Sequence, residues 1–374
     1  MRMRLAVALV LAAGVGFAWP HAAAAQDSVA VAHPWFEEIS VNGFVSSWYS
    51  YNFNRPPDRL NAFRVFDLDD NTFQVGVAEL VAQRAVSKPG DAGFRVDVAM
   101  GSSVPRVSAA SGLFRDPVTG VAQDIDLQQA LASYIAPVGS GLRLGAGKFV
   151  THCGMEVIEG YDGWNDQATR SFLFGYAIPF THTGIRADYT FGPKVAATAM
   201  LVNGWDDARD NNAAKTGGIQ LALTPSPAIG LILNGLVGAE RPGNDHDVRS
   251  LLDVVLTAKA SDLTFGLNGD IAQEQTPAGD HDTWSGAAGY ARWQASPRFA
   301  LALRGEVFDD PQGVRTGVTQ TLSEGTITPE LRITPRWLLR GDLRLDHSNH
   351  DVFATGTGVK DTQTTLLVNV LAAF

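Results

Sequence analysis

Chemistry in a chain needs reactive side chains at fixed spacings. The sequence holds eight His and a single Cys, Cys153. None of them falls in a G-x-S-x-G elbow, an H-E-x-x-H zinc helix, a C-x-x-C redox pair or a phosphate-cradling Walker loop. His21 belongs to an N-terminal leader and His33 to the segment after it. His152 and His182 flank a long loop, while His246, His281, His347 and His350 sit among acidic loop residues. His246, Asp247, His281 and Asp282 are ligand types for a divalent ion, but they follow no fixed metal spacing, so the reading is solvated loop histidines with no metal and no cofactor. One Cys cannot close a disulfide within the chain. The chemistry-bearing residues point away from an enzyme; the alternative is a non-conducting structural barrel or an outer-membrane barrel enzyme with Ser and His on neighbouring strand tops, and no such pair stands out.

The charged side chains follow a different rule, alternation. In 337–346, Trp337, Leu339, Gly341, Leu343 and Leu345 make one face, and Arg340, Asp342, Arg344 and Asp346 fall between them. Residues 297–310 repeat the pattern, with Phe299, Leu301, Leu303 and Val307 opposite Arg304 and Glu306. Residues 261–271 set Leu263, Phe265, Leu267 and Ile271 against Asn268 and Asp270. A period of two is a strand, and charge on every second residue fits a strand with lipid outside and water inside. The same face carries Arg95, Asp97, Arg143, Arg186 and Asp188. A cation at the lipid-facing midplane would cost ~2–4 kcal/mol, so these twelve residues are expected to face inward and line a pore.

Composition agrees. The 374 residues are 45% apolar, 18% charged and of net charge -10. That is too apolar for disorder, too poor in Cys for a disulfide scaffold and too acidic for a nucleic-acid partner. Arg2 and Arg4, the uncharged run Leu5–Ala18 and the sequence Ala23, Ala24, Ala25 read as a secretory signal peptide over 1–25. Its removal leaves 349 residues of net charge -12. No later apolar stretch is long enough for a transmembrane helix, so the mature chain is either soluble or crosses a membrane as strands.

Turn residues Pro193, Pro227, Asp262, Pro297 and Pro335 recur every 34 to 38 residues, room for two strands, a short turn and a longer loop. Counting in this way predicts strands near 39–52, 73–84, 93–101, 126–136, 141–150, 182–191, 195–203, 216–224, 228–237, 250–259, 263–272, 284–294, 298–308, 320–331, 337–346 and 363–374. The expectation is an all-β, antiparallel up-and-down transmembrane barrel of about 16 strands over 38–374, with short periplasmic turns and long extracellular loops. A periplasmic tail over 26–37 precedes it. Alternation is poor in the second, fourth and fourteenth strands, so 14 or 18 strands stay open. Aromatics are placed as two interfacial girdles, Phe94, Tyr189, Phe191, Trp293, Phe299, Trp337 and Phe374 at the short-turn ends, and Tyr49, Tyr51, Trp205, Trp284 and Phe308 at the long-loop ends.

The terminal LLVNVLAAF resembles the C-terminal strand by which outer-membrane proteins reach the barrel assembly machinery, which implies that Phe374 is an assembly signal. Residues 141–191 are similar to the β-barrel porins of the OmpL-like group. There a strand ending in GKF (Gly147, Lys148, Phe149) is followed by a Gly and a Glu (Gly154, Glu156) and by an aromatic loop ending in PFTHTG (Pro179–Gly184). The resemblance implies an outer-membrane protein of a Gram-negative bacterium, partnered by lipid and lipopolysaccharide, passing small hydrophilic solutes, with homo-oligomers common among such barrels.

Residues 151–181 are too long for an ordinary connection, and loops of this length are usually functional. With Glu156, Glu159, Tyr161, Asp162, Trp164, Asp166 and Arg170, the segment is expected to fold into the lumen as a constriction. The six longer loops from 151 onward hold seventeen acids and seven bases. An acidic mouth concentrates cations within a screening length of ~8–10 Å, which predicts weak cation selectivity that fades with salt.

Overall fold

The computed structural model describes residues 35–374; the expected signal peptide and most of the 26–37 tail lie outside the described residues. After a 3-10 turn at Trp35–Glu38 come strands β1 Ser40–Asn52, β2 Thr72–Arg84, β3 Ala92–Met100, β4 Ile125–Ala136, β5 Leu142–Val150, β6 Thr181–Gly192, β7 Val195–Val202, β8 Thr216–Ser226 and β9 Ile229–Ala239. They continue as β10 Val248–Ala260, β11 Leu263–Gln275, β12 His281–Trp293, β13 Phe299–Asp310, β14 Gln320–Thr334, β15 Trp337–Ser348 and β18 Thr362–Ala373. A two-stranded flap, β16 Phe353–Thr355 and β17 Gly358–Lys360, sits in the last long loop, and one helix, α1 Val104–Ser111, sits in the second. Sixteen strands pair antiparallel with their neighbours into a closed barrel, and β1 meets β18 at the seam. Every predicted strand is present within a few residues, and the count is sixteen.

Alternation decides which way each side chain points. Phe265, Leu267 and Ile271, then Leu303 and Val307, then Leu343 and Leu345 are exposed on the outer wall, while Asn268, Asp270, Arg304, Glu306, Arg340, Asp342 and Arg344 are buried inside. The short-turn rim carries exposed Phe191, Trp293, Trp337 and Phe374, as a girdle requires. The long-loop rim corrects one expectation. Trp205, Trp284 and Phe308 point inward and are buried. An apolar loop segment enters the barrel beside them and packs on them, so they serve a core rather than a membrane interface.

The seam is closed by the last residue. The backbones of Gly43 and Phe374 exchange two hydrogen bonds of 2.9 Å. The Phe374 ring lies over Gly43, where a Cβ would stand 2.3 Å from it. A side chain at position 43 would have to displace the ring.

Candidate functional site: the lumen and its inserted loop

A sixteen-stranded wall encloses more space than its own side chains fill. Three segments occupy that space: L1 (53–71), L2 (101–124) with α1, and L3 (151–180). L3 is the most deeply engaged. It leaves β5, reaches Gln83 and Arg95 near the short-turn end, and climbs back to β6.

Each part of L3 is held by inward side chains. At its root, the Gly154 and Met155 N–H groups donate to Asp253 and Asn268, both at 3.0 Å. At its tip, the Tyr161 N–H donates to Glu79 at 3.0 Å, Gln83 donates to the Tyr161 hydroxyl, and Arg95 donates to Asp162 at 2.5 Å. Arg292 holds Asp166 at 2.8 Å. Trp164 and Tyr161 pack on an inward apolar patch of Phe44, Leu338 and Leu371.

The ascending limb meets three arginines. Arg340 donates to Glu159 at 2.7 Å and to the Asn165 carbonyl at 2.5 Å. Arg304 donates to Glu156 at 2.7 Å, to Glu324 at 2.6 Å and to the Thr169 carbonyl at 2.8 Å. Arg344 donates to Asp346 at 2.6 Å and to the Arg170 carbonyl at 2.5 Å, and its guanidinium lies 4.7 Å from the Phe172 ring centre. Asp342 accepts from the Thr169 N–H and hydroxyl, and Glu306 accepts from the N–H groups of Phe172 and Leu173 at 2.6 and 3.1 Å. Arg170 itself pairs with Glu159 at 3.3 Å. Beyond this, Phe172, Phe174, Ile178 and Phe180 form an apolar core with Trp205, Trp284 and Phe308. L1 adds Arg64, which bonds Asp67 and Asp346 at 2.8 and 2.7 Å.

The twelve residues expected to line the pore therefore fall into two groups. Asp97, Asp270, Arg304, Glu306, Arg340, Asp342, Arg344 and Asp346 face inward but are at most 4% exposed. Inserted loops or neighbouring wall side chains cover all eight; Asp97, for one, is held by Arg95 and the Gln129 amide. Arg95, Arg143, Arg186 and Asp188, on β3, β5 and β6 toward the short-turn end, stay partly exposed. Arg186 is bonded to Asp188 at 2.5 Å, and Thr198 donates to the same carboxylate. Between L3 and the β1–β4 wall, a cavity lined by Trp48, Phe66, Gln128, Glu159 and Arg170 has about 20 Å³, room for a water but not for a solute.

Four of the seventeen loop acids, Glu156, Glu159, Asp162 and Asp166, thus lie inside the barrel with Arg170. The other thirteen acids and six bases lie in the long loops from 203 onward or at the strand ends that enter them, where Arg249, Glu274, Asp282, Asp309 and Asp310 fall within β10 to β13. Some of those acids are structural. Asp310 accepts from the N–H groups of Val314, Arg315 and Thr316, and Asp206 from those of Phe180 and Thr181. Burial pushes the Asp206 carboxyl up to about 6. Burial and the nearby carboxylates of Glu240, Asp206 and Asp210 push Asp207 up to about 7.

Sequence reasoning missed Asp253, Glu324, Arg292 and Arg64. The first three lie on inward positions that strict alternation could have flagged. Arg64 lies in the irregular loop L1, where no periodicity exists to read.

A closed antiparallel barrel of sixteen strands, apolar outside, polar inside and entered by long loops from one end, is the architecture of an outer-membrane channel. The chain belongs to the family described as "Putative beta-barrel porin-2, OmpL-like", whose model matches residues 38–374. Among solved structures it is similar to the anion-selective porin of Comamonas acidovorans, with 10% identity, a TM-score of 0.60, and 90% of this chain and 99% of that one covered. It is also similar to the outer-membrane channel DcaP of Acinetobacter baumannii, with 9% identity, a TM-score of 0.59, and 90% and 97% covered. A third is the trimer form of OmpT of Vibrio cholerae, with 10% identity, a TM-score of 0.55, and 90% and 99% covered. No curated protein sequence matches. The family places the protein in the outer membrane; at these identities the solved structures speak for the fold alone.

Proposed function

We propose that the protein is a passive diffusion channel for small hydrophilic solutes and ions, with L3 as the element that sets its conductance. One observation carries this reading. Beyond the wall's own side chains, the lumen is entered most deeply by a segment anchored through side-chain hydrogen bonds from nine wall strands, from Glu79 on β2 round to Arg340 on β15, with Gln220 on β8 reaching the His152 carbonyl. A blocked structural barrel could fill its lumen with wall side chains; a separate inserted segment can be displaced, and pore lining of this kind selects by size and charge. The partly exposed arc of Arg95, Arg143, Arg186 and Asp188 is the wall a solute would meet beside the loop.

The excess of acids on the outer loops favours weak cation selectivity, lost at high salt. Export through residues 1–25, delivery to the assembly machinery through Phe374, contact with lipopolysaccharide and homo-oligomers complete the proposal. The deciding experiment is planar-bilayer conductance of the wild type and of a chain lacking residues 161–172. The deletion is expected to raise single-channel conductance several-fold; an unchanged value in an intact barrel rejects L3 as the constriction. A second reading, a barrel that does not conduct, is favoured by the near-complete burial of the arginines on β13 and β15, and absence of any conductance in both chains would establish it.

A further inference from the structure

The root of L3 rests on two carboxyl groups. Asp253 on β10 and Asp270 on β11 are directly opposite in register on the inward face. Their exposures are 0% and 1%. Among the described residues, neither has a Lys, Arg or His nitrogen within 4.0 Å. Their surroundings differ sharply. Asp253 accepts from the Gly154 N–H, from the Asn234 amide and, at 2.6 Å, from the Asn268 amide. Two carboxylate oxygens offer about four acceptor sites, so three are filled and one is free. Asp270 has no donor at either oxygen.

A buried carboxylate without a donor or a cation is among the costliest arrangements in a protein, and two ionised carboxyls side by side compound it. A proton resolves both. Carried by Asp270 and donated to the one free acceptor site of Asp253, it satisfies each group. A bound cation fits less well, because Asp253 and the oxygens of Asn234 and Asn268 are already engaged by N–H donors. The other groups packed against the pair do not alter this. Glu306 on β13 is an acid, Cys153 at the loop root is a buried thiol, Asn234 and Asn268 are neutral, and β12 presents Gly286. His152, also at the root, is half-buried and its ring lies 6.1 Å from the His182 ring.

We infer that Asp253 and Asp270 share one proton and that this shared proton latches the root of L3 to the wall, so that alkaline conditions loosen the constriction. The inference rests on the proposed role of L3. The step is a simple transfer: hydroxide takes the Asp270 proton and leaves water and two facing carboxylates. The latch therefore holds while the pair keeps its proton and is lost as hydroxide removes it.

Infrared difference spectra and bilayer conductance, recorded on the full mature chain from pH 7 to pH 10, test it. Asp270→Asn is nearly isosteric and can donate an amide N–H to Asp253 at every pH; Asp270→Ser is a second variant should the first fail to fold. The wild type at pH 7 should show a protonated-carboxyl C=O band that both variants lack, and its conductance should rise at least twofold by pH 10 while that of Asp270→Asn stays flat. An Asp270→Asn spectrum that keeps the whole band overturns the shared proton. Equal alkaline rises in both chains overturn the latch. A wild type that never conducts but keeps the band overturns the channel reading and supports the shared proton.

Discussion

The two sides of the barrel wall use the same side chains for different ends. On β13 and β15, Arg304, Arg340 and Arg344 are sealed under L3, and each spends donors on a backbone carbonyl of the loop. On β3 and β6, Arg95 and Arg186 keep 21% and 24% of their side chains exposed and pair mainly with carboxylates two residues away on their own strands. All five face inward with period two. What separates them is the course of L3, which covers the first arc and touches the second only at Asp162, beside Arg95. An inward charge is thus a structural clamp or a solvated lining according to what the loop covers.

The largest expected effect falls on the sealed arc. Arg344→Ala takes from Glu306 its cation and from Asp346 one of its two, with Arg64 remaining, and removing one partner of a buried pair costs ~3–5 kcal/mol. Unfolding by denaturant in detergent micelles or lipid vesicles measures this. Arg186→Ala on the wet arc is expected to cost no more than ~1 kcal/mol by the same measurement, because partly exposed pairs are screened. Equal losses would erase the distinction between the arcs.

Next in size is selectivity. Arg186→Glu should move the KCl reversal potential toward cations at low salt, since this charge faces the proposed path. Neutralising the buried pair with Arg304→Met and Glu324→Gln together should leave it unmoved. A shift from the buried pair alone would place the path on the β13–β15 side.

The smallest effect lies at the outer rim. A carboxyl raised to about 7 in the folded protein, as Asp207 is, holds a proton that the unfolded chain releases near ~3.9. Stability from this group is therefore present at low pH, falls as pH rises from about 4 to about 7, and is flat above. Asp207→Asn should flatten that part of the curve of melting temperature against pH. Because the side chain is partly exposed, the difference should be modest.

Much of the wall was legible from sequence because a lipid-facing strand has one rule, apolar outward on every second residue, and Trp337 to Asp346 obey it without exception. The girdle reading went astray at Trp205, Trp284 and Phe308, where alternation alone cannot tell an aromatic that meets lipid from one that meets Phe172 or Tyr176 inside. The presence of L3 in the lumen was readable as a length and a composition. Its partners were not, because Arg304 and Glu156 are 148 residues apart and no local pattern couples them. Arg64 in L1 is the extreme case, joined to Asp346 across 282 residues.

The β1–β18 seam also has a meaning in time. Fifteen of the sixteen wall pairings join successive strands of the wall, whereas the seam brings Phe44 to Ala373. The entropic cost of closing a ring grows with its length, so this is the most expensive closure in the molecule. Until it forms, β1 and β18 are both open edges with unpaired backbone groups, the kind of edge on which chains stack into aggregates. The nine register pairs from Phe44–Ala373 to Asn52–Thr365 remove that hazard, and Phe374 seated on Gly43 completes the closure.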